Sequence, residues 1–428
     1  MASPRTVAYT MSRFPKISET FILYEIVELE RLGLRVEVFP LIREHEEVAH
    51  PEAAALVERA HYTSLRSWEL LSAQLYWLLR RPAAYLAAWR DALWGNRESP
   101  KFLSRALAVV PQAARFARQM RELGVEHLHA HYATHPALAA YVVRALAGIP
   151  YSFTIHAHDL YVERPMLAEK LRDAAFAVAI SDFNRRLVAE LYGPEAAAKT
   201  EVIHCGVDLE VFRPRPRRPR AGPFTLICVA SLQDYKGHPY LVDACARLRD
   251  AGLDFVCLCV GEGEDRPQIE ARIAELGLGE RVRLLGRQPR AEVSRLMAEA
   301  DAMVLPSVVT ASGKMEGIPV ALMEALATEL PAVATAISGV PELIRDGETG
   351  LLVPERDPAA IADAVLRLSA SPDLGERLAR NGRALVEREF DLRRNAAALR
   401  ELLAHEQPRR EPETATLTPA AGEGAGRI

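Results

Sequence analysis

Glu316-Gly317-Ile318-Pro319-Val320-Ala321-Leu322-Met323-Glu324 sets two carboxylates eight positions apart across a loop-to-helix junction. Leu305-Pro306-Ser307 ends the apolar strand that precedes it. Gly317 lets the backbone come close to a ligand, and Pro319 suits the first turn of a helix. Glu316 therefore reads as a loop residue. Glu324 reads as lying about two turns into the helix, roughly 8–12 Å away at 1.5 Å per residue. The helix N-terminus between them offers free N–H groups and positive dipole, a place for phosphate. Such a unit can hold one hydroxylated group at each carboxylate and a diphosphate between, which is the shape of a nucleotide-sugar. The plainer reading is one loop glutamate and one solvated helical glutamate.

Working outward, the stretch belongs to an α/β series. Its strands read as Phe224–Ala230, Asp254–Val260, Val282–Leu285, Ala302–Leu305, Ala332–Thr335 and Gly350–Val353, with helices between. Upstream, residues 213–223 hold four prolines, five arginines and a glycine and read as a linker. The preceding half, 1–212, repeats the rhythm. Thr6–Thr10 is a strand and Arg13–Ser18 a loop. Ser18 caps a helix with Ile22, Ile26 and Leu29 on one face, and Arg35–Phe39 follows as a strand. Glu126–Ala130, Tyr151–Ile155, Phe176–Ile180 and Val202–His204 continue it, while residues 45–123 read as a helical insertion. The second domain spans 224–388. A helix over 389–406 is expected to return to the first domain, and the Pro-, Glu- and Gly-rich tail 407–428 to be disordered. Two doubly wound sheets imply a cleft with ligands at the strand carboxyl ends.

The 428 residues are 49% hydrophobic and 26% charged, a soluble globular composition. A net charge of −4 argues against nucleic acid as a partner. The five cysteines have no metal spacing, and Cys257 and Cys259 read as core thiols of a reduced compartment. No signal-peptide pattern or membrane-length apolar run is present, so a cytoplasmic location is expected.

Further features sit at strand ends. Ser231 to His238 contains Lys236, a cation at a helix start suited to a diphosphate. Gly261-Glu262-Gly263 follows the next strand, and Gly286-Arg287 the third. His156-Ala157-His158-Asp159 follows Tyr151–Ile155 in the first half. Together with Gly206-Val207-Asp208, Gly339-Val340-Pro341-Glu342 and Gly347–Val353, these pieces resemble glycosyltransferase family 4, retaining enzymes of the GT-B fold. The resemblance spans Ser12 to about Leu402. The opening Ser12-Arg13-Phe14-Pro15-Lys16-Ile17-Ser18-Glu19-Thr20-Phe21 is similar to the exopolysaccharide, colanic-acid-type branch, and Met315–Pro319 agrees with it.

The resemblance implies roles. Glu324 would accept from the donor ribose, and Glu316 would meet hexose hydroxyls near the anomeric centre. Lys236 would neutralise the leaving diphosphate, helped by the helix N-terminus after Gly317 and Ile318. The backbone at Arg287 would read the base, with Gly261 lining the donor side. His156 would line the sugar face opposite, and His131, His158 and Asp159 the acceptor side. No metal and no cofactor is implied; the donor would be a UDP- or GDP-linked sugar and the acceptor a saccharide, free or lipid-linked. Family members commonly carry Arg where Ser231 stands, so Lys236 acts alone or with Lys314 from the facing loop. The family's Gly-Gly turn after the first strand is replaced by Phe14-Pro15-Lys16.

Several residues admit two readings. His129 and His131 alternate on one strand face, and His156 and His158 pair similarly at another strand end. A zinc site would need a third ligand; an acceptor-facing polar wall or packed histidines are the alternatives. Asp159 either orients a histidine or caps a helix. Gly261-Glu262-Gly263 lacks the third glycine of a dinucleotide fingerprint, which opposes a dehydrogenase. Other GT-B enzymes, a phosphorylase or a sugar-nucleotide epimerase, and an inactive glycan-binding module are the rival functions. Residues 61–120 hold all four tryptophans, with nine basic and three acidic side chains. Trp68, Leu71, Leu75 and Leu78 share one stripe. The stripe either meets an anionic membrane surface or packs on the first domain.

Overall fold

A computed structural model of the chain describes residues 5–16, 20–44, 51–64, 66–214 and 222–405. The expected Ser18 cap, most of the 213–223 linker and the 407–428 tail lie outside them. The first half begins with β1 (Thr6–Phe14), α1 (Thr20–Arg31) and β2 (Arg35–Arg43). Four helices follow: α2 (Pro51–Arg59), α3 (Trp68–Arg80), α4 (Pro82–Gly95) and α5 (Pro100–Glu122). Then come β3 (His127–His131), α6 (His135–Ala147), β4 (Tyr151–Ile155), α7 (His158–Tyr161) and α8 (Leu167–Asp173). β5 (Phe176–Ala179), α9 (Asp182–Tyr192), α10 (Pro194–Ala198) and β6 (Thr200–Val202) complete it.

The second half opens with β7 (Phe224–Val229), a short 3-10 turn at Asp234–Lys236, α11 (His238–Asp250) and β8 (Phe255–Val260). It continues through α12 (Arg266–Glu275), β9 (Val282–Gly286), α13 (Arg290–Glu299), β10 (Ala302–Leu305) and α14 (Val320–Ala327). β11 (Ala332–Thr335), α15 (Val340–Leu343) and β12 (Leu351–Val353) precede three closing helices. These are α16 (Pro358–Ala370), α17 (Pro372–Glu389) and α18 (Leu392–His405).

Each half holds one six-stranded sheet, in the orders β2-β1-β3-β4-β5-β6 and β12-β11-β10-β7-β8-β9. The paired strands run parallel, with helices over both faces. That explains the almost unbroken apolar runs of β5, β10 and β11, which are buried throughout; β3 and β4 are buried too, with histidines, Ser152 and Thr154 among their residues. Strand order reverses between β1 and β3 and again between β7 and β10. Ligand crevices open at such reversals, beyond the strands' carboxyl ends.

Three expectations shift. Arg13-Phe14 was expected to lie in a loop but belongs to β1, pairing with Ile42 and Arg43 of a longer β2. Pro40 hid that extension; it is tolerated because β2 is the sheet edge. The last strand of the first sheet is Thr200–Val202, not 202–204. His204 lies past it, its Nδ1 2.8 Å from the Ile180 carbonyl oxygen. The insertion is not helical throughout, since residues 60–64 and 66–67 are irregular.

The chain crosses back at its end. Val207 N–H donates to the Phe390 carbonyl at 2.8 Å, and Leu392 N–H to the Val207 carbonyl at 3.1 Å. α18 then buries Ala396, Leu399 and Leu403 in the core that α1 shares with Ile22, Ile26 and Leu29. Two stretches of chain, near 207–214 and near 390, thus join the halves, and Ala53 and Leu56 of α2 lie in the same core as the returning α18.

Candidate functional site

Lys236 and Glu316 come together at the reversal of the second sheet. Lys236 ends the turn after β7, and Glu316 lies in the loop after β10. Their side chains form an ion pair, each only about one-eighth exposed (14% and 12%). The turn depends on Gly237, whose φ is +72° and which passes the Pro306 carbonyl so closely that a Cβ would lie 1.9 Å from its oxygen. Burial draws the Lys236 ammonium down to about 8, and the positive charge of Lys314 adds to the fall. Lys314 lies 4.3 Å from the centre of the Tyr235 ring and Lys236 4.9 Å. Lys314 also faces Gln233 at 3.4 Å and Asp234 at 3.5 Å. Two cations therefore flank one aromatic ring at this edge. Ser231 is hydrogen-bonded to the Tyr235 hydroxyl and supplies no charge.

The Glu316–Gly317 loop is held from behind. Ser338 Oγ donates to the Glu316 carbonyl at 2.6 Å and to the Gly317 carbonyl at 3.0 Å. Gly317 faces the other half, where a Cβ would lie 2.8 Å from Ile180 Cδ1. Ile318 is buried beside it. α14 starts at Val320 with Pro319 in the cap position. Glu324 is therefore its fifth residue, little more than one turn in rather than two. Burial raises the Glu324 carboxyl to about 7, opposed by the charge of Arg290. Arg290 stacks over Tyr24 at 4.1 Å and faces Asp208 at 3.6 Å. Gly261 N–H donates to the Gly286 carbonyl at 2.9 Å, closing the ends of β8 and β9. Arg287 is exposed on the next residue.

Across the cleft, His156 directly follows β4 and is 6% exposed. Its Nε2 lies 3.1 Å from His131 Nδ1, and His131 Nε2 lies 3.0 Å from Glu25 Oε1. Burial first, then His131, pushes His156 well below the usual imidazole range. Asp159 holds a histidine by its backbone rather than its ring, and it does not cap α7. It is buried and accepts the backbone N–H of Ala133 at 2.7 Å and of His156 at 3.1 Å, tying β3 to β4. The cap of α7 is Ala157. His158 does not share a face with His156, because the chain turns into α7 at that residue. It is exposed, with Nε2 3.2 Å from Glu163, which also pairs with Lys101.

His129 and His131 do face one side, and Glu25 comes within 4.8 Å of both as the carboxylate the sequence did not supply. His129, however, has both ring nitrogens at hydroxyls, Ser152 at 2.8 Å and Thr154 at 2.9 Å. It reads as a packed histidine. Glu342 was legible only as part of a motif. In the structure it crosses the cleft, accepting N–H groups of Asp182 at 2.9 Å and Phe183 at 2.7 Å at the start of α9. Glu25 had a weaker signal, its i,i+4 spacing from Phe21 on α1.

The insertion divides its tryptophans. Trp77 is fully buried, with Nε1–H donating to the Ala114 carbonyl at 2.7 Å. Leu70, Ala73 and Trp77 form the inward stripe of α3. Trp68 and Trp94 are 79% and 67% exposed, and Leu71, Leu75 and Leu79 are exposed between them. Among the described residues, no helix is long and apolar enough to cross a membrane.

Comparison with known proteins agrees with this geometry. Residues 18–211 match the model of Glycosyltransferase Family 4, and residues 213–385 that of Glycosyl transferases group 1. A Salmonella typhimurium protein named as the colanic acid biosynthesis glycosyltransferase WcaL is 30% identical over 399 residues. The match covers 85% of this chain and 90% of that relative. The amylovoran biosynthesis glycosyltransferase AmsK of Erwinia amylovora is 39% identical over 195 residues, 46% of this chain and 48% of its own. In structure, Anabaena Alr3699/HepE, solved in complex with UDP, superposes with a TM-score of 0.69 at 18% identity. That superposition covers 94% of this chain and all of the other.

Proposed function

This chain belongs to glycosyltransferase family 4, a GT-B enzyme of exopolysaccharide biosynthesis, and on that premise we propose that it moves a sugar from a nucleotide-diphosphate donor to a saccharide acceptor with retention of configuration. The observation that carries this is the Lys236–Glu316 pair at the sheet reversal, with Lys314 beside it and the α14 N-terminus next in the chain. A diphosphate entering there replaces Glu316 as the partner of Lys236. Glu316 is then released toward the sugar hydroxyls. The two lysines and the N–H groups of α14 oppose the charge that grows on the leaving phosphate. Glu324 accepts from the ribose, and Arg287 and Gly261 border the base. His156 faces the sugar from the other half. The acceptor oxygen attacks the face the phosphate leaves, and that phosphate takes its proton. Neither metal nor cofactor has a part in this reading.

A thermal-shift panel of UDP, GDP, ADP and their sugars tests the proposal, because a ligand of the native state stabilises by mass action. Uridine compounds come first, since a fold neighbour was solved with UDP-glucose. A selective shift in the wild type that Glu324→Gln reduces supports the donor site. No shift with any of them overturns it.

A second reading concerns the acceptor. Exposed Trp68, Leu71, Leu75, Leu79 and Trp94 lie on α3 and α4 beside Arg80, Arg90 and Arg97. An aromatic, apolar and basic face of this kind suits the interface of an anionic bilayer, and so a lipid-linked acceptor. Arg81 is a poor site for the test because Nη1 donates to the Leu146 carbonyl at 3.1 Å. Leu75→Glu with Leu79→Glu should abolish co-sedimentation with phosphatidylglycerol vesicles at low salt and leave nucleotide binding intact. A wild-type chain that does not pellet refutes this reading.

A further inference from the structure

Three side chains that the donor site does not use form a continuous line of hydrogen bonds ending at His156. The Tyr9 hydroxyl donates to Glu25 Oε1 at 2.8 Å. His131 Nε2 lies 3.0 Å from the same oxygen, and His131 Nδ1 lies 3.1 Å from His156 Nε2. The direction of each bond follows from the chemistry of its ends. A carboxylate oxygen only accepts, so Tyr9 donates to it and His131 Nε2 carries a hydrogen. Burial, reinforced by Glu25, keeps the Tyr9 phenol protonated. With its one hydrogen on Nε2, His131 has a bare Nδ1, which makes His156 Nε2 the donor. Burial also keeps His156 neutral. Its Nδ1 is therefore a lone-pair acceptor.

The rest of His156 is fixed around that atom. Its N–H is bound to Asp159 and its carbonyl accepts from Asn184 Nδ2. Phe21 stands 5.0 Å from its ring and Tyr132 4.5 Å, centre to centre. Tyr132 takes a positive φ of 77°, a conformation uncommon for a bulky residue, at the point where its ring meets His156. Nδ1 takes no hydrogen bond from a described residue. The next residue, Ala157, lies beside Gly317 of the donor loop. The ring thus stands where the two halves meet.

We propose that Glu25 and His131 are positioning residues that lock His156 in the Nε2–H tautomer, so that Nδ1 accepts a hydrogen bond from a sugar hydroxyl in the cleft. The use of that hydroxyl rests on the glycosyl-transfer reading; the tautomer does not. In full-length protein labelled with 15N-histidine, and with His156→Asn to assign the signal, His156 should show a protonated Nε2 and a bare Nδ1. Glu25→Gln offers His131 an amide that donates as readily as it accepts, so a second His156 tautomer should appear. Release of glucose from UDP-glucose should then fall in kcat by about tenfold, the scale of one hydrogen bond to a reacting group, with KM little changed. Glu25→Asp keeps the carboxylate and should restore the single tautomer and most of the rate. A wild-type His156 with Nδ1 protonated overturns the relay. A mixed tautomer in Glu25→Gln with unchanged kcat overturns the positioning role. The resonance measurement needs no donor, so an inert UDP-glucose counts against that donor alone, and the kcat comparison is then made with whichever nucleotide-sugar the thermal-shift panel selects.

Discussion

Lowering the pH from 8 to 6 should weaken nucleotide-sugar binding about tenfold more in the wild type than in Glu324→Gln. Burial holds the free Glu324 carboxyl at about 7, and a ribose hydroxyl needs the ionised form as its acceptor. If only that form binds, the apparent Kd rises by one plus the ratio of proton concentration to acid constant. The factor is roughly 1.1 at pH 8 and about 11 at pH 6, or about 1.4 kcal/mol. Above about pH 7.5, midway between the two values, the wild-type trend reverses, because Lys236, at about 8, loses the charge that holds the diphosphate. Stability runs the other way. The folded value of Glu324 lies above its ordinary 4.5, so its contribution is full below 4.5 and is lost as pH rises through about 7. The Glu324 contribution, read as the ligand-free stability of the wild type minus that of Glu324→Gln, should thus fall between pH 5 and 7 while affinity rises, which separates a binding effect from loss of fold. The difference cancels the opposite slope of the buried His127, His135 and His238. Calorimetry at several pH values, in buffers of different ionisation heat, measures the slope and the proton released. A nucleotide-sugar is the right ligand because its diphosphate diester does not titrate near neutrality. A tenfold slope surviving in Glu324→Gln, or a flat wild type, refutes the assignment.

Lys236→Met should reduce turnover about 10²–10³-fold, as loss of one aimed charge at a leaving group does, while EDTA leaves the wild type unaffected; activity that fails in EDTA and returns with manganese would contradict the reading. Glu342→Gln should loosen contact between the halves and lower kcat, since a charge on the first N–H groups of α9 contributes about 1 kcal/mol. Small-angle scattering of the unliganded protein checks it, and an unchanged profile would remove the contact from the account. Trp77→Ala should destabilise the fold by about 3–5 kcal/mol in urea titration, whereas Trp68→Ala should stay within about 0.5 kcal/mol.

The two sheets were legible because parallel strands covered on both faces write themselves as unbroken apolar runs. Ala302–Leu305 and Ala332–Thr335 fall where the pattern puts them. Edges were harder. Arg13 and Pro40 look like loop residues and become strand only because β1 and β2 continue as a paired ribbon. In the donor loops, Lys236 and Glu316 could be named from residue type and position, and they meet in the structure. The residues that hold them in place could not be named. Tyr235 stands between two lysines, and Ser338 holds two carbonyls. Neither role has a period or a spacing to announce it. Glu25 is 106 residues from the His131 it bonds, a separation that no local pattern can bridge. His158 shows the opposite failure. Its spacing from His156 suggested a shared face, but that inference holds only while the chain stays extended, and it turns into α7 there.

The motif Gly339-Val340-Pro341-Glu342 gains a physical meaning from what precedes it. Ser338, at a positive φ of 45°, reaches back with its hydroxyl to the carbonyls of Glu316 and Gly317. A Cβ at Gly339 would lie 3.0 Å from Ser181 Cβ of the other half. Three residues further on, Glu342 accepts two N–H groups of α9. One five-residue segment therefore fixes the loop that carries Glu316 and also the approach of the opposite half. The ion pair that a donor must open lies at one end of this connection, and the start of α9 at the other. On the proposed reading, the contact that holds the Glu316 loop and the contact that holds the opposite half are therefore carried by the same five residues.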